Sequence, residues 1–208
     1  MNICMMTNTY APHVGGVARS IQSFAEQYED KGHHVLIIAP TFPQNKNCKH
    51  NVIRIPAIQN FNGSDFSVRI ALPGYIAEAI KDFSPDLIHS HHPFLMGDTA
   101  VRIARQYQLP LVFTHHTLYE QYTHYTPFNT PAMKDLAKKL ATSYANLCSL
   151  VIAPSKSLAQ IIRERGVKTP IEVVPTGVNQ TFFQAGNGQR ARHQWGIPQN
   201  SFAVGHVG

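Results

Sequence analysis

The chain has little of what marks a membrane span, a disulfide scaffold or a disordered tail. No apolar run approaches the roughly 20 residues that cross a bilayer. The three cysteines, Cys4, Cys48 and Cys148, are scattered without CxxC spacing, which argues against a disulfide framework or a zinc ribbon and for reduced thiols. No basic segment precedes Ile3-Cys4-Met5-Met6 and no long apolar core follows, so the N-terminus does not look like a secretory signal and a cytoplasmic protein is expected. Long basic runs and DNA- or RNA-binding motifs are absent, which disfavours nucleic acid as a partner. The GxGxxG fingerprint is missing too, and the second apolar run ends in Ala39, Pro40 and Thr41 where a nicotinamide site would want an acidic residue for a ribose hydroxyl. Neither a GxSxG elbow nor a Walker sequence occurs, so hydrolase and P-loop readings fall away. Charged residues make up only 14% of the chain against 43% hydrophobic, a balance that builds a core.

What is present is a regular alternation. The 208 residues suffice for one large domain, or for a domain and a piece of another. Short apolar runs at 3–6, 35–40, 51–58, 86–93, 109–117, 150–155 and 171–179 read as strands, and helical spacing at about 16–30, 72–82, 97–108, 131–148 and 156–165 reads as the helices between them. A last apolar run, FAVGHV at 202–207, reads as one more strand. Residues 44–50 read as a loop, 61–67 as irregular, and LYEQYTHYTPFNT after the fifth strand as a longer loop. Strands that alternate with helices imply an α/β fold, a Rossmann-like doubly wound parallel sheet with right-handed crossovers. In such a sheet ligands bind beyond the carboxyl ends of the strands.

Those ends carry the unusual residues. Gly15 and Gly16 follow the first strand where a helix begins; missing Cβ atoms there would let the backbone approach a ligand, whose oxygens the free N–H groups of the helix start could bind. A glycine pair that serves only to turn the chain is the other reading. His91 and His92 follow the fourth strand, His115 and His116 the fifth, and Thr176 and Gly177 the seventh. The twelve histidines invite a metal site, but HExxH and paired Cys/His spacings are absent, so no metal is expected. His89 alternates with His91 and is a candidate core residue.

The formal charge of +6 and pI near 9.3 favour an anionic partner such as a phosphorylated metabolite or an anionic lipid surface. On the 131–148 helix, Met133, Leu136, Ala137, Leu140, Tyr144 and Leu147 share one side and Lys134, Lys138 and Lys139 the other. That pattern fits a core face with a solvated back, or a basic helix lying on an anionic membrane surface.

Taken in order, TNTYAPHVGGVARSI, KGHHVLIIAP, PDLIHSHHPFLMG, LVFTHHTLYEQYTHY, VIAPSKSLAQIIRERG and VVPTGVN resemble the N-terminal domain of the retaining, GT-B-fold glycosyltransferases of family 4 (group 1). Within that family HTLYEQYTHY looks most like the bacterial enzymes that glucosylate diacylglycerol. The resemblance implies two Rossmann-like domains facing across a cleft, the first binding mainly acceptor and the second gripping a UDP- or GDP-sugar, with retention and with no metal or other cofactor. It places Gly15 and Gly16 near the donor diphosphate and the acceptor, and His116 against the transferred sugar as the catalytic histidine. His115, which replaces the family's aromatic, joins His91, Thr176 and Gly177 as donor- or acceptor-binding candidates.

Asn179 stands where the family usually has aspartate, at a position read as turn capping. The family's glutamate pair and its diphosphate-binding arginine and lysine belong to the second domain. The expected organisation is therefore an acceptor domain over 1–178, with a linker and the first strand of a donor domain over 179–208. The expected activity is sugar transfer to a lipid such as diacylglycerol on the cytoplasmic membrane face, with the 208 residues alone inactive. A soluble or cell-envelope saccharide acceptor, or a non-catalytic module for a phosphorylated ligand, stays open.

Overall fold

The apolar runs of the first two strands are continuous because both of their faces are covered. The computed structural model describes residues 1–42, 50–58, 68–69, 73–125, 130–177, 180, 184 and 186–205. The chain forms β1 (Asn2–Met6), α1 (Gly16–Asp30), β2 (His34–Pro40), β3 (Asn51–Ile55), β4 (Ala57–Ile58), β5 (Val68–Arg69), α2 (Pro73–Phe83), β6 (Leu87–Ser90), α3 (Met96–Gln106) and β7 (Leu111–Thr114). A 3-10 helix (Tyr119–Tyr125), α4 (Pro131–Ala145), β8 (Leu150–Ala153), α5 (Lys156–Glu164), β9 (Ile171–Val173) and α6 (Gly188–Gln194) follow. Two compact units emerge, Met1–Thr176 and Gly177–Gly208.

The first unit holds a seven-stranded sheet in the order β3-β2-β1-β6-β7-β8-β9, every pair parallel. Successive side chains on a strand face opposite ways. Accordingly Ile3 and Met5 of β1 join Val35 and Ile37 of β2 in a cluster closed by Ile21 and Ala25 of α1. Cys4 and Met6 join Leu36 and Ile38 in a larger cluster that takes in Ile80 of α2, Ala100 of α3, Tyr144 of α4 and Ile162 of α5. Each such buried Ile, Leu or Met contributes about 1.5–3 kcal/mol relative to exposure. Burial pushes the Cys4 thiol far above its ordinary range and the Cys148 thiol up to about 12, so both are inert core groups.

Helix ends follow local chemistry. Gly32, at φ +79, stops α1 and donates its N–H to Glu29 O at 2.9 Å. Thr130 caps α4 by accepting the Met133 N–H at 3.2 Å, with Pro131 in the first turn, and Ser155 caps α5 by accepting the Leu158 N–H at 3.2 Å.

Several expectations change. The single strand at 51–58 is two, because Pro56 lacks the N–H that would continue the ladder; Ala57 and Ile58 turn away to pair antiparallel with Val68 and Arg69. The strands expected at 86–93 and 109–117 are shorter, so His91, His115 and His116 lie just beyond them. The tyrosine-bearing loop contains the 3-10 helix, and Arg165 ties it down by donating to both carboxylate oxygens of Glu120, at 2.5 and 3.2 Å.

The apolar side expected for α4 packs only in part, through Tyr144 and the half-buried Met133 and Ala137. Ala141, Tyr144 and Ala145 are buried, whereas Leu136, Leu140 and Leu147 are 47%, 48% and 51% exposed. Small alanines let the helix approach the sheet closely, and the leucines are turned outward. In the second unit the strand expected at 202–207 is not formed over 202–205, where Phe202 and Val204 are exposed. A strand needs a neighbour for its backbone groups, and that segment has none among the described residues. Cys48, Asn179 and the stretch 61–67 lie outside the described residues.

Candidate functional site

The winding of the sheet reverses between β1 and β6, the place where a doubly wound fold opens a crevice beyond its strand ends. The loop bearing Gly15 and Gly16 leaves the carboxyl end of β1. His91 and His92 leave that of β6, and His115 and His116 that of β7. These three strands are neighbours and parallel, so all three loops gather on one edge within about 10 Å of sheet width.

The histidines divide by face. His89, fully buried, hydrogen-bonds Thr114 Oγ1 through Nε2 at 2.7 Å and lies edge-on to Phe24 of α1, as a core residue should. His91, also fully buried, packs tilted by 34° against His89 with centroids 4.2 Å apart and hydrogen-bonds His116 Nε2 through Nδ1 at 2.9 Å. Its backbone N–H donates to Met6 O at 3.0 Å, which locks β6 to β1 at the crevice floor. His92 Nδ1 accepts the Asn8 N–H at 3.2 Å, so a neutral His92 carries its proton on Nε2. His115 packs between Phe113 and Tyr119, at 5.5 and 5.1 Å, almost without exposure. His92 and His116 are the partly exposed members.

Burial makes these rings weak bases. It lowers His89 and His92 to about 3, His115 and His116 to about 4, and His91 well below its ordinary 6.5. Neighbouring charge adds to the effect, from His116 on His89, His91 and His92, from His115 on His116 and from Arg165 on His115. At neutral pH the edge is lined with neutral imidazoles, which offer one donor and one acceptor each.

The glycine loop is braced from below. Tyr10 is buried, and the Arg54 guanidinium of β3 sits 5.7 Å from its ring centroid while donating to Pro40 O at 3.0 Å and to Ala11 O. A Cβ on Gly15 would meet His13 Nε2 at 3.3 Å, but one on Gly16 would meet nothing within 4 Å. Packing within the protein therefore does not ask for glycine at 16.

Asn8, Leu95 and Gly97 carried no motif in the sequence. Asn8 donates through Nδ2 to Phe94 O at 3.1 Å and accepts the Met96 N–H at 3.0 Å. It thereby caps α3, whose own N-cap, Leu95, lies at φ +57 with no side-chain bond. A Cβ on Gly97 would lie 2.3 Å from His92 O, so glycine is required there. The signal available for Gly97 was its place at a helix start; Asn8 gave none, because its partners lie more than 80 residues away.

Thr176, the last residue of the first unit, and Gly177, the first of the second, are exposed and lie outside regular structure. Lys134 and Lys139 are exposed and Lys138 half-buried, with Lys139 paired to Asp135 at 2.8 Å. Among the described residues no group of three or more His, Cys, Asp or Glu is placed to hold a metal ion, and no helix is long and apolar enough to cross a membrane.

Known proteins share this architecture. An alpha-monoglucosyldiacylglycerol synthase of Streptococcus pneumoniae is 32% identical over 187 residues, 88% of this chain and 42% of that protein. A GDP-mannose-dependent alpha-mannosyltransferase of Corynebacterium glutamicum is 24% identical, spanning 100% of this chain and 51% of its own length. The chain spans about half the length of the curated relatives it matches. Among solved structures, sucrose-phosphate synthase of Thermosynechococcus elongatus has a TM-score of 0.71 at 17% identity, covering 96% of this chain and 53% of its own. Anabaena HepE in complex with UDP-glucose has a TM-score of 0.66 at 16% identity, covering 96% and 51%. The shared fold is that of the N-terminal half of a GT-B glycosyltransferase. With a family model matching residues 14–182, the chain belongs to glycosyltransferase family 4.

Proposed function

We propose that the chain is the acceptor-side part of a retaining glycosyltransferase that moves a sugar from a UDP- or GDP-sugar to a membrane lipid such as diacylglycerol. The observation that carries this reading is His116, a neutral and partly exposed imidazole at the edge where the sheet winding reverses, on the same rim as the open Gly16. In the transfer, the bond between the anomeric carbon and the diphosphate oxygen breaks and its electron pair leaves with the nucleoside diphosphate. The acceptor hydroxyl oxygen bonds to that carbon and gives up its proton to the departing phosphate side. Positive charge grows on the sugar ring as the bond opens. A neutral imidazole can hydrogen-bond a sugar hydroxyl there, whereas an imidazolium would repel that charge; the low basicity of His116 suits the task.

Gly15 and Gly16 are assigned to the donor diphosphate, since the space above Gly16 is free of protein atoms and helix N–H groups start there. Thr176 is assigned to the donor or acceptor contacts; His91 and His115, both buried, act through their neighbours, His91 through His116. The lipid acceptor is supported by the likeness to monoglucosyldiacylglycerol synthases and by α4, whose exposed Leu136 and Leu140, with Leu147 just past its end, and whose exposed Lys134 and Lys139 suit an anionic cytoplasmic membrane face. A second domain beyond the first unit would grip the nucleotide, so the 208 residues alone should bind acceptor without turnover.

The test is transfer from labelled UDP-glucose and GDP-mannose to diacylglycerol in vesicles by a full-length protein. One donor should support transfer with retained anomeric configuration, and His116→Ala should lower kcat about 100-fold or more. Transfer by the 208 residues alone at the full-length rate, or an undiminished H116A variant, would overturn it.

A further inference from the structure

The His91–His116 contact contains a choice that the surroundings decide. Two neutral imidazoles joined by one hydrogen bond share one proton between them, either on His91 Nδ1 or on His116 Nε2. The remaining nitrogen of His91, Nε2, is buried and has no hydrogen-bond partner among the described residues. If His116 donated, the His91 proton would sit on that Nε2, leaving a buried N–H without an acceptor. If His91 donates, Nε2 keeps only a lone pair. Orphaned buried N–H groups are rarer in proteins than under-used acceptors, and stranding a donor costs about 1–3 kcal/mol.

We propose that His91 is a positioning residue that holds His116 as its Nδ1–H tautomer, so that the rim presents a hydrogen-bond donor at His116 and not an acceptor. Its frame is rigid. The His91 N–H is bonded to Met6 O at 3.0 Å, its ring packs tilted against His89 at 4.2 Å, and the ring planes of the pair lie at 25° to one another. His116 Nδ1 makes no hydrogen bond to a described residue, so its proton is available for an incoming oxygen. Low basicity along the edge keeps a second proton off the pair near neutral pH. That this oxygen is a sugar hydroxyl rests on the glycosyltransferase reading; the tautomer does not.

The experiment is ring-nitrogen NMR on the chain labelled with 15N-histidine, with the His116 resonances assigned by their loss in H116A. In the unsubstituted chain at pH 7, His116 should show a protonated Nδ1 and a bare Nε2 in a single tautomer. His91→Leu, which removes the donor, should give a mixture. His91→Asn, which returns an amide N–H to the place of Nδ1, should restore the single form. In a full-length protein H91L should lower kcat about tenfold, with H91N recovering part of the loss. A protonated Nε2 on His116 in the unsubstituted chain, or a folded H91L chain keeping the single Nδ1–H form, overturns the assignment. The unsubstituted spectrum decides even where H91L does not fold. Absence of sugar transfer with the tautomer as stated would instead count against the enzymatic reading.

Discussion

At the carboxyl edge of the sheet polar rings lie inside, while on α4 apolar side chains lie outside. His89 and His91 have no exposure, yet Leu136 and Leu140 stand half in solvent. The two regions depart from ordinary burial in opposite directions and by different means. A neutral imidazole can be buried where its ring nitrogens meet polar partners, as those of His89 do with Thr114 and Tyr28; His91 meets one, His116, and keeps a bare nitrogen. A leucine is turned out because smaller residues, Ala141 and Ala145, take the packing positions. Departures of this kind concentrate where a protein does something other than fold. On the proposed reading, the edge departs for a chemistry that needs dryness and the helix for a membrane surface.

The contrast breaks most readily with acid. The edge histidines hold folded-state values near 3 to 4 against an ordinary 6.5, so between those limits the unfolded chain binds protons that the folded chain refuses. Stability is therefore unaffected above pH 6.5 and falls below it by about 1.4 kcal/mol per pH unit for each such histidine. Urea unfolding should show a loss of about 8 kcal/mol between pH 7 and pH 5. A flat profile would mean that the rings are not dry.

A smaller effect sharpens the junction between the two regions. Gly97 lies between them, its missing Cβ 2.3 Å from His92 O and 3.1 Å from Tyr144 of α4. Gly97→Ala should cost about 3 kcal/mol, read as a lowered Tm. The smallest change in stability belongs to the leucines. Replacing Leu136 and Leu140 by serine should shift stability by no more than about 0.5 kcal/mol each, yet abolish co-sedimentation with phosphatidylglycerol vesicles. Lys134, Lys138 and Lys139 changed together to glutamate should do the same. Sedimentation unaltered in both variants would return α4 to an ordinary solvated helix.

Much of this was legible in the residues. The apolar runs of β1, β2 and β8 and the helical spacing between them placed the strands and helices close to where they lie, because those signals are local. Pro56 was in view, yet β4 and β5 went unread, since two-residue strands leave no periodicity. The helical spacing of α4 was right and its facing only partly so: Tyr144 packs as expected, but Leu136 and Leu140 do not, because close approach to the sheet favoured the small Ala141 and Ala145. His115 and His116 could not be told apart from their order, and the rings packed around His115 separate them. Asn8 and Arg54 draw their roles from residues distant in the chain, and Gly97 from His92, a near neighbour in sequence whose carbonyl comes close only once the turn into α3 is folded.

Asn8 stitches the first loop to the one after β6 with its backbone N–H, its amide nitrogen and its amide oxygen. Two sides of the opening are thus sewn together before anything arrives, and they can part only by breaking all three threads. A visitor to this mouth finds its outline already cut, and little of its grip is lost to tailoring the walls around it.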